Sequence, residues 1–462
     1  MWLVQCDKYA AWKTEENSFI WLYGIPGCGK TILSSTVIED LGRSEPSSLS
    51  FLYHYFDFSN VRKQSRENAV RSLISQLYDK KPNVREHLDS LHTSCHSGNQ
   101  QPSDQALRRA FQSMIQDTGE IWIVLDALDE CQNRNEYSDL SLLEWFEFLQ
   151  GEQGNVHLLV TSRPEQDIES AIDRYRGSIK HSISIQSDLV KGDIKAYIRA
   201  RLIGNSELRR WRSNIPVQNE IEAVLIEKAD GMFRWVQCQL DDLEHRFTRR
   251  SVRTALASLP RTLDDTYARI LQNIPEDYRE HTKRMLQFLT YSEHPMTFRE
   301  LVDALAVEVE PRRSFDPTDR MPDPAEVTRY CSSLVMVISG DKLPFSIRFP
   351  MSSRLSTSTY TRSIEWDTDD FWENEIQLSH FSVREYLTSE RLPEYLAKDL
   401  ENIAARAAIV QVSLAYLLGI DHNRSRRKIA RKFPFADYAA RYWASQAAMV
   451  EAFSQETRRL IQ

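Results

Sequence analysis

Gly24-Ile25-Pro26-Gly27-Cys28-Gly29-Lys30-Thr31 is the stretch on which the reading of this 462-residue chain turns. It spaces a Gly, four free positions and then Gly-Lys-Thr, the P-loop pattern. The flanks fit as well as the letters. The apolar run Phe19-Ile20-Trp21-Leu22-Tyr23 before it reads as a buried strand. After it, Ile32, Leu33, Val37, Ile38 and Leu41 recur at helical spacing. A strand, a Gly-rich turn and a helix start together make an anion site. Glycines let the backbone curl so that N–H groups face a phosphate, and the helix dipole adds partial positive charge. Residues Gly24 to Ile32 are therefore the expected nucleotide cradle. Lys30 would reach the β- and γ-phosphates, and the Thr31 hydroxyl would bind Mg²⁺.

A P-loop needs a carboxylate to complete the metal site. Ile121-Trp122-Ile123-Val124-Leu125-Asp126 is an apolar strand ending in one, the Walker B arrangement. Asp126 is expected to face Thr31 and to share the metal. Asp129 and Glu130, just beyond, can orient or deprotonate an attacking water. The plainer reading is a helix N-cap and a first-turn acid, which carries less weight here. A third apolar strand, Val156 to Thr161, runs into Ser162-Arg163-Pro164. Arg163 there can report a γ-phosphate, or serve only as a surface salt-bridge partner.

The set GIPGCGKT, VLDALDEC and LLVTSRP resembles the NACHT-type STAND NTPases, above all the large fungal group whose members often carry C-terminal ankyrin repeats. The likeness continues through Asp230-Gly231-Met232-Phe233-Arg234-Trp235-Val236, through Ser258 to Tyr267, and through His380-Phe381-Ser382-Val383-Arg384-Glu385-Tyr386-Leu387. It covers about residues 18–445. The resemblance implies an ATP/ADP switch with slow, Mg²⁺-dependent hydrolysis, serving signalling or immunity-like self/non-self recognition. It implies apolar contacts from Met232 and Phe233 to adenine, and a contact from His380 to the β-phosphate of ADP. Read from the residues alone, Met232 and Phe233 are equally a helix-start core contact, and His380 a structural histidine. Family members also carry an N-terminal effector and a C-terminal repeat sensor. Neither is expected here: residues 1–17 are too few for a domain, and no repeat of about 30–45 residues is evident. The chain reads as a fragment, a truncated product or a minimal switch.

Composition narrows the class. With 66 acidic against 58 basic residues, the charge balance gives no bias towards nucleic acid. The first residues lack a basic stretch followed by an apolar run, and no run of about 20 apolar residues exists. The expected setting is the cytoplasm, without a membrane. The six cysteines form no CxxC or Cys/His cluster, which fits reduced thiols and no structural zinc. Cys28 lies in the P-loop, where a helix N-terminus can lower a thiol pKa and make it redox-sensitive. The plainer reading is a position that takes a small residue.

The expected architecture is α/β: a P-loop NTPase with a parallel sheet, then a helical lid, a winged-helix-like domain and a C-terminal helical segment. The expected boundaries are a lead-in over 1–17, the NTPase over 18–186, the lid over 187–247, the winged-helix-like part over 248–390 and the tail over 391–462. Strands are expected at 18–23, 50–58, 121–126, 156–162 and 181–185. Strands and helices alternating after a P-loop imply a parallel sheet covered on both faces. Further on, Thr297 and Glu300 form a capping box opening a helix over 298–307. A helix near 325–333, strands at 334–338, 345–349 and 375–379, and a Ser/Thr/Asp-rich inserted loop over 351–370 complete the winged-helix pattern. DNA binding is not expected of it, because Glu300, Asp303 and Glu308 outnumber Arg299 on that helix. Partners are therefore nucleotide and other proteins, through self-association or the effector and repeat regions. Two further readings remain: a non-catalytic scaffold that holds nucleotide and oligomerises, and a metabolic P-loop kinase. The long helical regions, without a small-substrate pocket signature, argue against the kinase.

Overall fold

The computed structural model describes residues 2–43, 50–95, 98–132, 134, 141–150, 155–175, 179–309, 314–322, 327–328, 331, 333–338, 373–420, 429 and 432–451. The chain divides into two compact units, Met1–Leu259 and Pro260–Gln462.

In chain order the α/β part of the first unit runs α1 (Asp7–Thr14), β1 (Ser18–Tyr23), α2 (Lys30–Arg43), β2 (Phe51–Tyr55), α3 (Arg66–Lys80), α4 (Arg85–Ser94), α5 (Asp104–Thr118), β3 (Glu120–Asp126), α6 (Leu142–Gln150), β4 (Asn155–Ser162), α7 (Gln166–Arg174) and β5 (Ile179–Ser184). The five apolar runs expected to be strands are these strands. They form one sheet in the order β2-β3-β4-β1-β5, parallel throughout. β1 is buried from Ser18 to Leu22 without alternation, as a strand covered on both faces must be. The order is what makes a site. β1 lies between β4 and β5, so Tyr23 stands opposite both Ser162 and Ser184, while Leu125 stands opposite Val160. The carboxyl ends of β1, β3 and β4 therefore share one edge, where open α/β sheets bind ligands.

The lead-in is part of this unit. Helix α1 buries Tyr9 and Trp12 completely or nearly so. The Ser18 hydroxyl donates to the Trp12 carbonyl at 2.6 Å and lies 2.9 Å from His157 Nδ1, whose ring stacks on Trp122 with centroids 4.6 Å apart. Burial lowers the pKa of His157, against the raising pull of Glu120, whose Oε1 lies 3.2 Å from its Nε2.

Four helices complete the unit: α8 (Ser187–Gly204), α9 (Ile215–Lys228), α10 (Phe233–Glu244) and α11 (Arg249–Ala257). Val190, Ile194, Ile198 and Leu202 recur at helical spacing and bury one face of α8. Arg201 ties α8 to α10 through Asp241 and Glu244, each at 2.8 Å.

The second unit begins with α12 (Leu263–Gln272), α13 (Arg279–Tyr291), β6 (Met296–Thr297) and α14 (Phe298–Leu305). The capping box is present: Thr297 Oγ1 accepts from Glu300 N, and Glu300 Oε2 accepts from Thr297 N. The helix ends at Leu305, short of the expected 307. Val307–Glu308 (β7) instead pairs antiparallel with Ser314–Phe315 (β8). Val335–Ile338 (β9) and Glu375–Leu378 (β10) pair antiparallel, and β6 adds on the other side of β10. The expected strand 345–349 and inserted loop 351–370 lie outside the described residues, as does most of the helix expected near 325–333. Helices Asn402–Leu418 and Ala436–Glu451 pack against each other.

One expectation about α14 changes. Asp303 is only 1% exposed, held by Arg320 and by the Tyr416 hydroxyl. Glu300 is spent on the capping box. These acids serve the interior of the unit, so they are no measure of the helix surface, and the charge argument against DNA loses that support. Among the described residues, no helix is long and apolar enough to cross a membrane.

Candidate nucleotide-binding site

The loop from Gly24 to Gly29 joins β1 to α2 with two left-handed glycines, Gly27 at φ +75° and Gly29 at φ +95°. A side chain at either would strain the turn. The first helical bond of α2 runs from Leu33 N to Gly29 O at 3.0 Å. Lys30 Nζ donates to the carbonyls of Gly24 at 2.9 Å and Ile25 at 3.2 Å. Ile25 is exposed and Pro26 and Ile32 half-buried, so the loop is carried by its backbone rather than by apolar contacts.

Asp126 is brought to Thr31 as expected. Thr31 Oγ1 donates to Asp126 Oδ2 at 2.7 Å. Two residues that sequence reasoning did not single out join them. Ser34 Oγ and Thr161 Oγ1 donate to Asp126 Oδ1 at 2.5 and 2.7 Å. Ser34 lies one turn beyond Thr31 on the same face of α2, which is a readable signal. Thr161 needed the strand order, since it reaches Asp126 only because β4 neighbours β3. Asp126 is 2% exposed. Burial raises its carboxyl above the usual value, against the opposing pull of the three hydroxyls and of Lys30. A hydroxyl and a carboxylate, hard oxygen donors within hydrogen-bond reach, are the donor set that Mg²⁺ takes beside a phosphate. The residues fit that ion. Among the described residues no three His, Cys, Asp or Glu side chains gather into a metal cage.

The two acids past Asp126 part company. Asp129 accepts from Arg163 twice, from Nε at 3.1 Å and from the backbone N at 3.2 Å. Arg163 is thereby held at the sheet edge. Glu130 turns the other way, and its Oε2 accepts from Phe58 N at 3.0 Å. Its carboxyl is pushed well above the usual range, first by burial and then by the neighbouring charge of Asp129. Ala127, between them and Asp126, sits at φ +55°, strain that a non-glycine residue tolerates only where its surroundings fix it.

At Cys28 the geometry agrees with the plainer reading, a small residue packed into the loop. Its thiol is buried, and desolvation raises its pKa over the lowering effect of Lys30. The Cβ of an alanine at Gly24 would sit 2.8 Å from its Sγ. The residue is a packed filler of the loop, with neither the exposure nor the lowered pKa that marks an activated thiol.

Met232 and Phe233 stand beside the loop. Met232 is the N-cap residue of α10 and Phe233 its first residue. The Phe233 ring lies 3.3 Å from where a Gly29 Cβ would be. His380 lies in the second unit, where it caps the helix Phe381–Leu387. Its Nδ1 accepts from Ser382 N at 3.1 Å and lies 2.7 Å from Ser382 Oγ, which in turn contacts the Tyr267 hydroxyl at 2.8 Å. An Nδ1 that accepts leaves the proton of the neutral ring on Nε2.

Comparison with known proteins adds to this geometry. Residues 1–163 match the family described as Nephrocystin 3, N-terminal. Over 347 residues the chain is 25% identical to the vegetative incompatibility protein HET-E-1 of Podospora anserina, covering 73% of this chain and 24% of that protein. Over 192 residues it is 30% identical to azaphilone pigments biosynthesis cluster protein L of Monascus ruber, covering 41% of this chain and 35% of that protein. The chain thus spans well under half the length of these curated relatives. Among solved structures, a STAND protein with a tetratricopeptide repeat sensor from Pyrococcus horikoshii aligns with 98% of this chain and 58% of its own, at 10% identity and a TM-score of 0.41, too loose a likeness to carry an argument. The P-loop after β1, the Walker B carboxylate on β3 and the arginine after β4 all fall within the matched residues 1–163, so the matches and the geometry point to the same P-loop site, and over these residues the chain is similar to the NACHT-type STAND NTPases.

Proposed function

We propose that the chain is an ATP/ADP-dependent molecular switch with slow, Mg²⁺-assisted hydrolysis. The observation that carries this is the bond from Thr31 to Asp126 at 2.7 Å, which joins the phosphate loop to the Walker B strand around one carboxylate. In this reading Gly24 to Ile32 wrap the phosphates and Lys30 leaves its loop carbonyls for the β- and γ-oxygens. Thr31 and Asp126 hold Mg²⁺, which would neutralise charge developing on the phosphates. Arg163, positioned by Asp129, faces the γ-phosphate. Glu130 orients the attacking water. Its raised proton affinity suits a base, but its hold on Phe58 N must loosen first, which fits slow turnover. Helices α8–α11 form the lid, with Met232 and Phe233 towards adenine. Helices α12–α14 with the sheet β6-β10-β9 form a winged helix. Calorimetry with ATP and ADP, with and without Mg²⁺, tests the reading together with mass spectrometry of nucleotide carried through purification. Absence of both binding and carried nucleotide would end it.

The engagement of both acids beyond Asp126 also favours a second reading, in which nucleotide is a permanent structural ligand and the chain acts as an oligomerising scaffold. Glu130→Gln separates the two. As a switch, the variant should lose about tenfold or more in turnover, with ATP affinity within about threefold of the parent. No turnover in either protein, with ADP retained, favours the scaffold.

The ADP contact expected of His380 is tested by two substitutions. Asn is a strong N-cap and Ala is not, so His380→Ala should cost about 1 kcal/mol of stability and His380→Asn little. If His380 also meets the β-phosphate, both variants should release ADP about tenfold faster, with ATP much less affected. An ADP off-rate unchanged in His380→Asn leaves only the cap.

A further inference from the structure

Helix α10 starts without a cap of its own. Its N-cap residue, Met232, makes no side-chain capping bond. The first-turn N–H groups of a helix are orphan donors and need acceptors from elsewhere. One is met by the phosphate loop: Arg234 N donates to Gly27 O at 3.2 Å. The approach is closer than a side chain would allow. A Cβ on Gly27 would stand 2.6 Å from Arg234 Cβ. The turn into α10 is fixed from the other side by Asp230 at φ +43° and Gly231 at φ +77°, where a Cβ on Gly231 would stand 3.1 Å from Ser187 Cα. The Arg234 side chain is 5% exposed, with Nη1 on Gln237 Oε1 at 3.1 Å. The link to Gly27 is therefore made by its backbone.

We propose that the Gly27 carbonyl is the N-terminal cap of α10, so that the order of the lid helix reports the conformation of the phosphate loop. The proposal rests on the nucleotide-binding reading. The loop's own carbonyls, Gly24 O and Ile25 O, accept from Lys30 Nζ at 2.9 and 3.2 Å. A bound phosphate takes over Lys30 and the loop N–H groups, holds the Gly27 peptide in one orientation and firms up the acceptor. α10 is then ordered from its first turn, with Phe233 set against Gly29. A helix with Ser, Thr, Asp or Asn at its N-cap would not depend on the loop in this way.

Two variants at one position isolate the bond. Arg234→Ala keeps the N–H, whereas Arg234→Pro removes it, and proline is tolerated in a first helical turn. Amide exchange of residues 235–240 in the full chain is the readout, with and without saturating ADP. Slowing by ADP should be about tenfold in the parent and in Arg234→Ala, and under about twofold in Arg234→Pro. Equal slowing in all three overturns the proposal. Should Arg234→Pro not fold, Met232→Ser decides: it gives α10 a cap of its own, so exchange should already be slow without ADP and change under about twofold with it. A parent-like response in that variant overturns the proposal. Failure of the nucleotide reading shows separately, as no ADP binding to the parent by calorimetry. The cap is then read without ligand, where Arg234→Pro should exchange about fivefold faster than Arg234→Ala, and equal rates overturn it.

Discussion

Lys30→Ala should weaken ATP and ADP binding by about 100-fold or more while leaving the fold intact. The two halves of that expectation come from different observations. The fold is spared because, among the described residues, the Lys30 ammonium bonds to two carbonyls of its own loop, Gly24 O and Ile25 O. Both can be taken up by water, so their loss should cost about 1 kcal/mol at most. Affinity suffers because in the proposed switch this ammonium is the charge that meets the β- and γ-phosphates, and the backbone N–H groups cannot replace it. In the proposed site Arg163 is held by Asp129 for the γ-phosphate, so it does not take over the contact that Lys30 makes to the β-phosphate. Calorimetry for affinity and a thermal melt for the fold check the two halves. Affinity within about twofold of the parent would remove Lys30 from the phosphate site, whatever the melt shows.

Much of this arrangement was legible in the sequence, for a physical reason. The strands of a parallel sheet are buried on both faces and so read as unbroken apolar runs, of which β1 and β3 are the clearest. P-loop and Walker B chemistry sits at the ends of such runs, which placed Lys30, Thr31 and Asp126 together. What stayed hidden depends on neighbours distant in sequence. Thr161 meets Asp126 only because β4 lies between β3 and β1. Asp129 and Glu130 are adjacent letters of one residue class, yet one faces Arg163 and the other Phe58 N. The strands β6, β7 and β8 have two residues each, too few for a period-two pattern, and β7 displaced the last turn expected of α14. Burial decides between the two readings of Cys28 in favour of the plainer one, because desolvation of a thiol outweighs the nearby Lys30 charge. The missing cap on α10 was readable at Met232, but its replacement by a loop two hundred residues earlier was not.

Asp126→Asn should abolish the Mg²⁺-dependent part of nucleotide affinity, a loss of about 30-fold or more, without lowering the stability of the nucleotide-free protein. The reasoning starts from the carboxylate's environment. Asp126 is 2% exposed, and three hydroxyls donate to it at 2.5–2.7 Å. Even so, burial dominates and raises its pKa. For an acid raised in the folded state, stability is greatest below the unfolded value of about 3.9 and declines as pH rises through the folded pKa. The parent should therefore lose stability over that interval when no cation is bound, and Mg²⁺ with nucleotide should restore it by giving the charge a partner. Asparagine has the same shape, no charge, and a carbonyl oxygen that still accepts. Its variant should be less dependent on pH there and at least as stable at neutral pH. Asp126→Ala is the contrasting case: it strands three hydroxyl donors in the interior and should cost about 2–4 kcal/mol. Melts from pH 4 to 8, with and without Mg²⁺ and ATP, read all three proteins. An Asn variant that keeps the full Mg²⁺ response would place the metal's carboxylate elsewhere, and one that melts like the Ala variant would make Asp126 a structural acceptor first.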